Sequence, residues 1–582
     1  MCAAQAVADS GVDRNAASKR LHALFEAEWE WTMREFPTWA SRLGDRRYNR
    51  RWPDVSLEAY RRRHEHRKAV LKRLEEFDPD ELPEQDRISL QLFRQSYRYD
   101  VEEFPFGWYL LPLNQRGGIQ TAHELADALR FETIADFEDW IVRLQRLPEY
   151  IAQTTELMRE GVRTGRTHPR RIMQRVVRQI EAQCVNDPRQ SPFYKPFHAM
   201  PASISDQAAA RLRKRAETVI ADRVVPAFRT FLRFFREEYL PACLERPGIW
   251  QFPQGERHYR VRARRFTTTE LTPQQIHDLG WSEIRRIRAE MERVVERSGF
   301  DGDVDAYIRW LRTDRRFYFQ DPRELLREYR AVAKRIDPEL VRLFGTLPRT
   351  PYGVVPIPEL IAPDTTTAYY QPPAADGSRA GLYFVNLYKP ETRPRYEIEV
   401  LTLHEAVPGH HLQIALAMEL KDLPKFRRYQ GFTAFVEGWA LYAESLGDRL
   451  GLYQDPPSQM GRLSYEMWRA VRLVVDTGIH AFRWSRQQAI DVFLKYTAKT
   501  RLDIENEVDR YITWPGQALA YKVGEITIQR LRSQAEKRLG DRFDIREFHD
   551  VVLRNGAVTL GVLQEQVERW IARKTAATEQ ER

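Results

Sequence analysis

Cysteine is scarce in this sequence of 582 residues. The three cysteines are Cys2, Cys184 and Cys243, an odd and widely spaced set. Such a set supports neither a disulfide framework nor a zinc site made of cysteine thiolates. Any metal in this protein must therefore be held by histidine and carboxylate side chains.

Long apolar runs are also lacking. No stretch approaches the ~20 consecutive apolar residues that a membrane-crossing helix needs, so we expect no membrane partner. Residues 1–20 contain no apolar segment like the core of a signal peptide, and this predicts a cytoplasmic location. A lipid on Cys2 would require an apolar leader before that residue, so we interpret Cys2 as an ordinary thiol.

The charge balance is basic, since 92 lysines and arginines against 83 acids give a net charge of +9. Basic residues cluster at 163–178 and 257–265, as they do in many nucleic-acid-binding proteins. Acidic residues are interleaved almost everywhere else, and no nucleic-acid-binding motif accompanies the clusters. We interpret the charge as a solvated surface and expect no nucleic-acid partner. No pattern fixes the oligomeric state.

Helical periodicity dominates the first two-thirds of the chain. Amphipathic stretches near 137–162, 205–239 and 273–296 predict helices. The last of these opens with Thr272 and Pro273, which are typical of a capped helix start. A mainly α fold is therefore expected.

Strand patterns are few. Residues 381–388 are rich in aromatic and aliphatic side chains and predict a strand, which we expect to be an edge strand able to pair with an extended peptide. Residues 351–358 are apolar but broken by prolines, and residues 259–264 alternate apolar side chains with arginine. Together they predict one small β-sheet in a helical protein.

Three of the 13 histidines fall within the segment His-Glu-Ala-Val-Pro-Gly-His-His at residues 404–411. The zinc motif His-Glu-x-x-His places two histidines four residues apart on one helix face. Here His410 and His411 follow His404 by six and seven residues, a rise of about 9 or 10.5 Å in an unbroken helix. Neither can share an ion with His404 unless the helix is interrupted.

Pro408 and Gly409 predict that interruption. Proline removes a backbone donor and clashes with the preceding helical turn, while glycine adopts backbone angles that other residues resist. The break therefore falls where a second histidine has to be drawn toward His404. Ideal geometry does not decide between His410 and His411.

A third ligand is expected on a later helix, at residues 433–444. This segment is apolar nearly all round, which predicts burial, and a buried carboxylate needs a metal or a cationic partner. We predict that Glu437 binds the metal and that Glu444, seven residues on, orients a histidine. The alternative is that Arg469 or Arg472 pairs with these acids.

Four motifs carry a resemblance to a known family. They are His-Glu-Ala-Val-Pro-Gly-His-His at 404–411, Phe-Val-Glu-Gly-Trp-Ala at 435–440, Val-Asp-Thr-Gly-Ile-His at 475–480 and Trp-Pro-Gly-Gln-Ala-Leu-Ala-Tyr at 514–521. They resemble the domain-of-unknown-function 885 (DUF885) family over roughly residues 21–570. The resemblance implies a bacterial protein grouped with zinc peptidases of the gluzincin type.

More distant similarity refines the ligand set. In the thimet oligopeptidase and dipeptidyl peptidase III families, a glycine directly precedes the second histidine ligand. This similarity implies that His410, after Gly409, is the ligand. It also implies that Glu437, in the context Phe435-Val436, is the glutamate ligand. The predicted metal is Zn²⁺, held by His404, His410 and Glu437.

The expected chemistry is metal-assisted hydrolysis of a peptide, with Glu405 as general base. Similarity to the oligopeptidases makes Tyr521 a candidate donor to the oxyanion, although a core tyrosine is an equal alternative. His480 is another candidate, with a satisfied core histidine as its alternative. Asn386 and Arg379 are candidate substrate contacts, and a structural role is the alternative for both.

Other functions remain as competing hypotheses. One is a zinc hydrolase that acts on a non-peptide amide. Another is a catalytically silent relative that binds a metal or a peptide. A nucleic-acid binder is a remote third.

The expected architecture is a large two-lobed, metallopeptidase-like helical fold with a small β-sheet beside the active-site cleft. The composition changes near 348–358, which is the best candidate for the junction between lobes. The predicted organisation is a flexible N-terminus at 1–17, a mostly helical lobe at 18–347, a catalytic lobe with the sheet and the metal-binding helices at 348–572, and a flexible tail at 573–582.

Overall fold

The structure is a computed structural model, and it describes residues 15–359, 362, 366–375, 377 and 379–580. Cys2 and most of the predicted flexible N-terminus lie outside these residues. The other two cysteines, Cys184 and Cys243, are both free, as expected for a chain without a disulfide framework.

Helices form the N-terminal half, and most begin with the capping residues that the sequence offers. The predicted start at Pro273 is confirmed, because Thr272 and Gln275 form a reciprocal capping box there. The helices are α1 Ala16–Glu35, α2 Pro37–Arg42, α3 Leu57–Glu75, α4 Glu84–Glu103, α5 Ile134–Gln145, α6 Leu147–Arg163, α7 Arg170–Glu181, α8 Asp206–Val219, α9 Val225–Phe234, α10 Gly255–Thr267, α11 Pro273–Ser298, α12 Val304–Thr313 and α13 Pro322–Ile336.

Helix α10 corrects a prediction. The alternation of apolar residues and arginines at 259–264 suggested a strand, but the segment is helical. The alternation misled because Arg262 is not a solvent-facing residue. It is buried, its guanidinium lies 3.9 Å from the Trp108 ring centroid, and it pairs with Glu103. The strand prediction assumed that the charged residues are exposed, and the buried Arg262 does not meet this assumption.

The sheet has three strands, β1 Tyr352–Pro356, β2 Ala368–Gln371 and β3 Gly381–Val385, in the order β1-β3-β2. Strand β3 pairs in parallel with β1 and antiparallel with β2. It is therefore the central strand, and the prediction that it is an edge strand is wrong. Its central place explains its apolar sequence, because a strand bonded on both sides is more buried than an edge.

The C-terminal part is again helical. The last helix continues through most of the segment 573–582 that was predicted to be a flexible tail. The helices are α14 Ile398–Glu405, α15 His410–Glu419, α16 Lys425–Tyr429, α17 Thr433–Glu444, α18 Pro456–His480, α19 Arg486–Tyr496, α20 Arg501–Thr513, α21 Ala520–Leu539, α22 Ile545–Leu553 and α23 Leu560–Gln580. A mainly α fold with a small sheet is thus confirmed.

Two hydrophobic cores organise these elements. One combines the sheet with α14, α17, α21 and α23 and with the N-terminal helices α1 and α4. The other combines α5 to α9 with α11, α12 and α18 to α20. Both cores draw on early and late parts of the chain, and the lobe boundary near 348–358 stays a prediction. Among the helices of the described residues, none has both the length and the apolar character that a membrane crossing requires.

Helices α17 and α21 approach each other through two glycines. A Cβ on Gly438 would lie 2.6 Å from the backbone of Gly524, and a Cβ on Gly524 would lie 1.9 Å from the Ala434 carbonyl oxygen. Gln529, further along α21, donates to Ser445 just after α17, so the two helices run in the same direction. Glycine at both positions therefore permits the close approach of the two helices.

Candidate metal centre

His404 enters the core on α14. This short helix is apolar on several faces, and Val400, Leu403 and His404 are all buried. The helix ends at Glu405, and the chain passes through residues 406–409 before α15 begins at His410. The helix is therefore interrupted at the position predicted from Pro408 and Gly409.

Gly409 lets the chain fold tightly back onto α14. A Cβ at this position would lie 2.0 Å from the His404 carbonyl oxygen and 2.3 Å from that of Leu403, so no other residue fits without a shift of the backbone. The turn is also tied to α17, since Trp439 donates its indole N–H to the Pro408 carbonyl at 2.8 Å. As a result the rings of His404 and His410 lie 4.8 Å apart, nearly perpendicular at 84°.

Glu437 on α17 faces both imidazoles. Its Oε2 lies 3.9 Å from His404 Nε2 and 3.4 Å from His410 Nε2. One ligand atom from each of the three residues falls within 4.8 Å of the others. Two imidazole nitrogens and a carboxylate oxygen are a typical donor set for a catalytic zinc ion, with a further coordination position left for a non-protein ligand.

His411 does not join this group. Its Nε2 donates to the Thr350 carbonyl at 3.0 Å, and its Nδ1 accepts from the Tyr370 hydroxyl at 2.9 Å. Burial lowers the pKa of His411 to about 4, which is consistent with a neutral ring that uses one nitrogen as donor and one as acceptor. The residues from the sheet region that fix His411 have no recognisable signal in the sequence.

Glu444, about two helical turns beyond Glu437, orients His404. Its Oε1 lies 2.8 Å from His404 Nδ1, which leaves Nε2 to face Glu437. Arg469 on α18 approaches the same oxygen at 3.5 Å. Burial raises the pKa of Glu444 to about 7, against the opposing charge of Arg469. Glu444 thus orients His404, as predicted, and it also lies beside Arg469, as the alternative had it.

The electrostatics of the group suit a cation. Burial, with the charge of His410, lowers the pKa of His404 to about 3, so its imidazole is neutral, the form that binds metals. Burial alone would raise the pKa of Glu437, but the neighbouring histidines bring it to about 2. Within the described residues, Glu437 Oε2 is buried and accepts no hydrogen bond. A buried, ionised carboxylate oxygen without a donor is the arrangement that a metal ion would satisfy.

Glu405 and Tyr521 lie on the elements that border this group. Glu405 follows His404 directly and is partly exposed, and its charge acts on both His404 and His410. Tyr521 is on α21, one turn before the glycine that packs on Gly438. Its hydroxyl accepts from Arg510 Nη2 at 3.1 Å, so the hydroxyl proton is left to donate elsewhere.

The three candidate substrate contacts are engaged within the protein. His480 is fully buried, accepts from the Ile249 N–H at 3.1 Å and donates to the Tyr511 carbonyl at 2.9 Å. Asn386 is buried, and its amide donates to the Ala362 carbonyl at 2.7 Å. Arg379 donates to the Pro372 carbonyl. The structure does not bring these three side chains to the histidine–glutamate group.

The fold and this His-His-Glu group together define a helical protein with a candidate three-ligand metal centre. A family model described as bacterial protein of unknown function, DUF885, matches residues 37–567. The chain belongs to this family, as the four motifs indicated. No curated protein matches the sequence.

Solved structures are similar to the chain over nearly its whole length. A provisionally named lipoprotein from Colwellia psychrerythraea is 29% identical, with 96% of this chain and 99% of that chain covered and a TM-score of 0.91. A provisionally named lipoprotein of unknown function from Shewanella oneidensis is 17% identical, with 95% and 99% covered and a TM-score of 0.72, which shows likeness of fold alone.

A third solved structure is much more distant. It is a provisionally named oligoendopeptidase F from Bacillus anthracis, 11% identical, with 88% of this chain and 96% of that chain covered. Its TM-score is 0.31, and a likeness at this level carries no argument about function.

The comparisons contradict the predicted cytoplasmic location, because both of the similar structures are described as lipoproteins. That prediction used only the apolar content of residues 1–20. The folded part of a protein is built by the same forces in either compartment, so neither its composition nor its core could have corrected the error.

Proposed function

We propose that this protein is a zinc-dependent hydrolase that cleaves peptides. The observation that carries the proposal is the convergence of His404, His410 and Glu437 within 4.8 Å, around a carboxylate oxygen that accepts no hydrogen bond from the part of the chain that the structure describes. Because His411 is bonded to Thr350 and Tyr370, it is not available as a fourth ligand. A three-ligand site is typical of catalytic zinc, and a four-ligand site of structural zinc.

The protein groups around the site have distinct roles in this proposal. When bound, zinc polarises a substrate carbonyl and makes a water molecule more acidic. Glu405 accepts the proton of the attacking water and later delivers it to the leaving amine. Glu444 holds the imidazole of His404 in the orientation that presents Nε2. Tyr521 donates a hydrogen bond to the developing oxyanion.

A peptide is the favoured substrate because of the sheet beside the site. Helix α14 lies against β2, whose outer edge is not paired with any strand in the described part of the chain. An extended peptide can add to such an edge through main-chain hydrogen bonds. In this proposal the peptide therefore pairs with β2, Ala368–Gln371, and not with residues 381–388, which the sequence suggested.

The test combines metal analysis with turnover. We expect about one zinc per chain by mass spectrometry of the purified protein, and cleavage of a peptide library read by mass spectrometry. The variant Glu405→Gln should lower turnover by about 10²- to 10⁴-fold and keep its zinc. Undiminished cleavage by this variant, or no bound zinc in the wild type, would rule the proposal out.

The location of the protein is proposed from its relatives. The lipoprotein description of the Colwellia structure, at 29% identity, favours a place outside the cytoplasm for this protein too. Fractionation of the producing cells, with an antibody to the folded chain, tests this. Recovery in the cytoplasmic fraction alone would contradict it.

A further inference from the structure

A second polar cluster, rich in arginine, lies next to the candidate metal group of His404, His410 and Glu437, called the metal group below. It is centred on Arg472 of α18, Arg510 of α20 and Tyr521 of α21. Arg472 lies over the Tyr521 ring, 4.4 Å from its centroid, and Arg510 donates to the Tyr521 hydroxyl at 3.1 Å. Both arginine side chains are nine-tenths or more buried, with 8% and 10% of their surface exposed.

Glu507 on α20 forms ion pairs with both of these arginines. Glu507 lies 3.2 Å from Arg472 Nη2 and 3.3 Å from Arg510 Nη1. It also accepts from the Tyr511 hydroxyl at 2.7 Å. Arg116 adds a further positive charge, which acts on both Arg510 and Glu507. Arg510 also acts on Glu437 and on Asp476, so the cluster lies within electrostatic reach of the group formed by His404, His410 and Glu437.

Some guanidinium nitrogens in the cluster have no partner. Arg472 Nη1 and Arg510 Nε are buried without a hydrogen-bond acceptor among the described residues. Each of these nitrogens can donate to a carboxylate oxygen, which forms strong, charge-assisted hydrogen bonds with guanidinium groups. Because Glu507 does not use these two nitrogens, they are left for a further acceptor.

The cluster is placed to act on the same substrate as the metal group. Arg472 is one helical turn beyond Arg469, which contacts the carboxylate that holds His404. Tyr521 is on the helix that packs directly on the helix of Glu437. The cluster also reaches the surface, because Arg116 and Trp514 are exposed and lie 5.8 Å apart, guanidinium carbon to ring centroid.

We propose that Arg472 and Arg510, with Arg116 at the mouth, bind a carboxylate of the peptide substrate beside the hydrolytic site. This rests on the proposed function and adds the substrate class, which is peptides with a free C-terminal carboxylate or an acidic side chain near the cleaved bond. The sequence pointed to Arg472 as an alternative partner of the acids on α17. The structure adds Arg510 and Arg116, which have no motif of their own.

The experiment uses three pools of random pentapeptides. Acidic side chains are left out of the first two pools. One pool has free C-terminal acids, the second has C-terminal amides, and the third has amides with one glutamate. Turnover by the wild type and binding to Glu405→Gln are both read by mass spectrometry. We expect the free acids to be preferred over the amides by about 10- to 100-fold in kcat/KM and in retention. A preference for the third pool alone assigns the carboxylate to a side chain.

Variants locate the preference. Arg510→Gln should bring the ratio of acid to amide close to one, whereas Arg175→Gln should leave it unchanged. Arg175 is a matched control, because it pairs at 3.2 Å with Asp509, the neighbour of Arg510, and is half exposed. If Arg510→Gln does not fold, as judged by circular dichroism, Arg116→Gln at the surface should still lower the ratio by about 2- to 5-fold.

Equal treatment of acids and amides by the wild type would overturn the inference and leave the peptidase proposal intact. An unchanged ratio in both Arg510→Gln and Arg116→Gln would also overturn it. The binding arm does not depend on turnover. Preferential retention of carboxylates without any cleavage would therefore contradict the peptidase proposal and support the carboxylate site.

Discussion

Two clusters of charged side chains differ in how their charges are satisfied. One lies on α14, α15 and α17, and the other lies on α11, α18 and α21. In the metal group, Glu437 Oε2 faces two imidazoles and accepts no hydrogen bond within the described chain. Behind it, Lys522 is fully buried and lies 2.8 Å from Glu466, 2.9 Å from Glu525 and 3.1 Å from Glu283. The first cluster leaves this carboxylate oxygen without a hydrogen-bond donor, and the second contains its own cation.

This difference separates binding sites from structural networks. Burial alone does not distinguish them, since both clusters are in the core. Burial also raises the pKa of both Glu444 and Glu525, against the opposing charges of Arg469 and Lys522. The distinguishing property is whether the protein supplies the counter-charge. A network that does so holds helices together, and a group that does not is completed by a ligand.

The largest expected effect is on metal binding by Glu437. The substitution Glu437→Gln should abolish stoichiometric zinc, because it removes the one anionic ligand. It should destabilise the metal-free protein only slightly, since the amide keeps the shape of the side chain and Oε2 accepts no hydrogen bond among the described residues. Zinc content and thermal unfolding with and without chelator provide the measurement. If the metal-free variant is much less stable than the metal-free wild type, Glu437 stabilises the fold as the Lys522 network does, and the two clusters do not differ in this respect.

Lys522→Met should have the opposite pattern. It removes the cation that contacts all three carboxylates and leaves Arg286 to face two of them, Glu283 and Glu466. This costs about 3–5 kcal/mol of unfolding free energy, while zinc per folded chain is retained. Urea unfolding of the metal-free proteins measures the loss. Lys425→Met is the control, because its ion pair with Glu26 is exposed and should contribute less than about 1 kcal/mol. Equal losses in the two variants would show that the buried network is not structural.

Glu444→Gln tests the residue that connects the two clusters. We expect zinc affinity to fall by about 10- to 100-fold, because His404 loses its charged hydrogen-bond partner. Competition with a chelator gives the affinity. Glu399→Gln is the matched control on α14, since Glu399 accepts from the Tyr453 N–H and pairs with Arg335. An affinity as low in the control as in Glu444→Gln would assign the effect to α14 in general.

The smallest effect concerns a histidine outside both clusters. Burial lowers the pKa of His480 to about 3, against about 6.5 in the unfolded chain. Between these values only the unfolded chain takes up the proton. Stability is therefore full above pH 6.5 and falls as the pH is lowered, by about 1.4 kcal/mol per unit. In His480→Gln the slope from chemical unfolding at pH 4 to 6 should be shallower by that amount. An unchanged slope would mean that His480 is protonated in the folded state.

The metal group was largely predictable from the sequence, because its parts are local. Pro408 and Gly409 mark the helix break, and the apolar run around Glu437 marks a buried carboxylate. The choice of His410 over His411 was not predictable from spacing. It depends on Tyr370 and on the Thr350 carbonyl, which reach His411 only through the tertiary fold.

Larger errors came from positions where neighbours distant in sequence decide the structure. Arg262 is buried because Trp108 and Glu103 surround it, so the charge pattern of α10 imitated a half-exposed strand. Strand β3 is central because β1 joins it in parallel, and a parallel pairing leaves no turn signal between the partners. The arginine cluster is assembled from α18, α20 and α21, and no single segment reveals it.

Gly438 and Gly524 set a limit on how this protein can be re-engineered. The close approach of α17 and α21, which carry Glu437 and Tyr521, depends on the absence of a side chain at both positions, so neither glycine tolerates an added methyl group. The arginines around Tyr521 are held by side-chain contacts with Tyr521 and Glu507, not by contact between backbones. Libraries aimed at new substrate preferences should therefore diversify the guanidinium positions and hold both glycines constant.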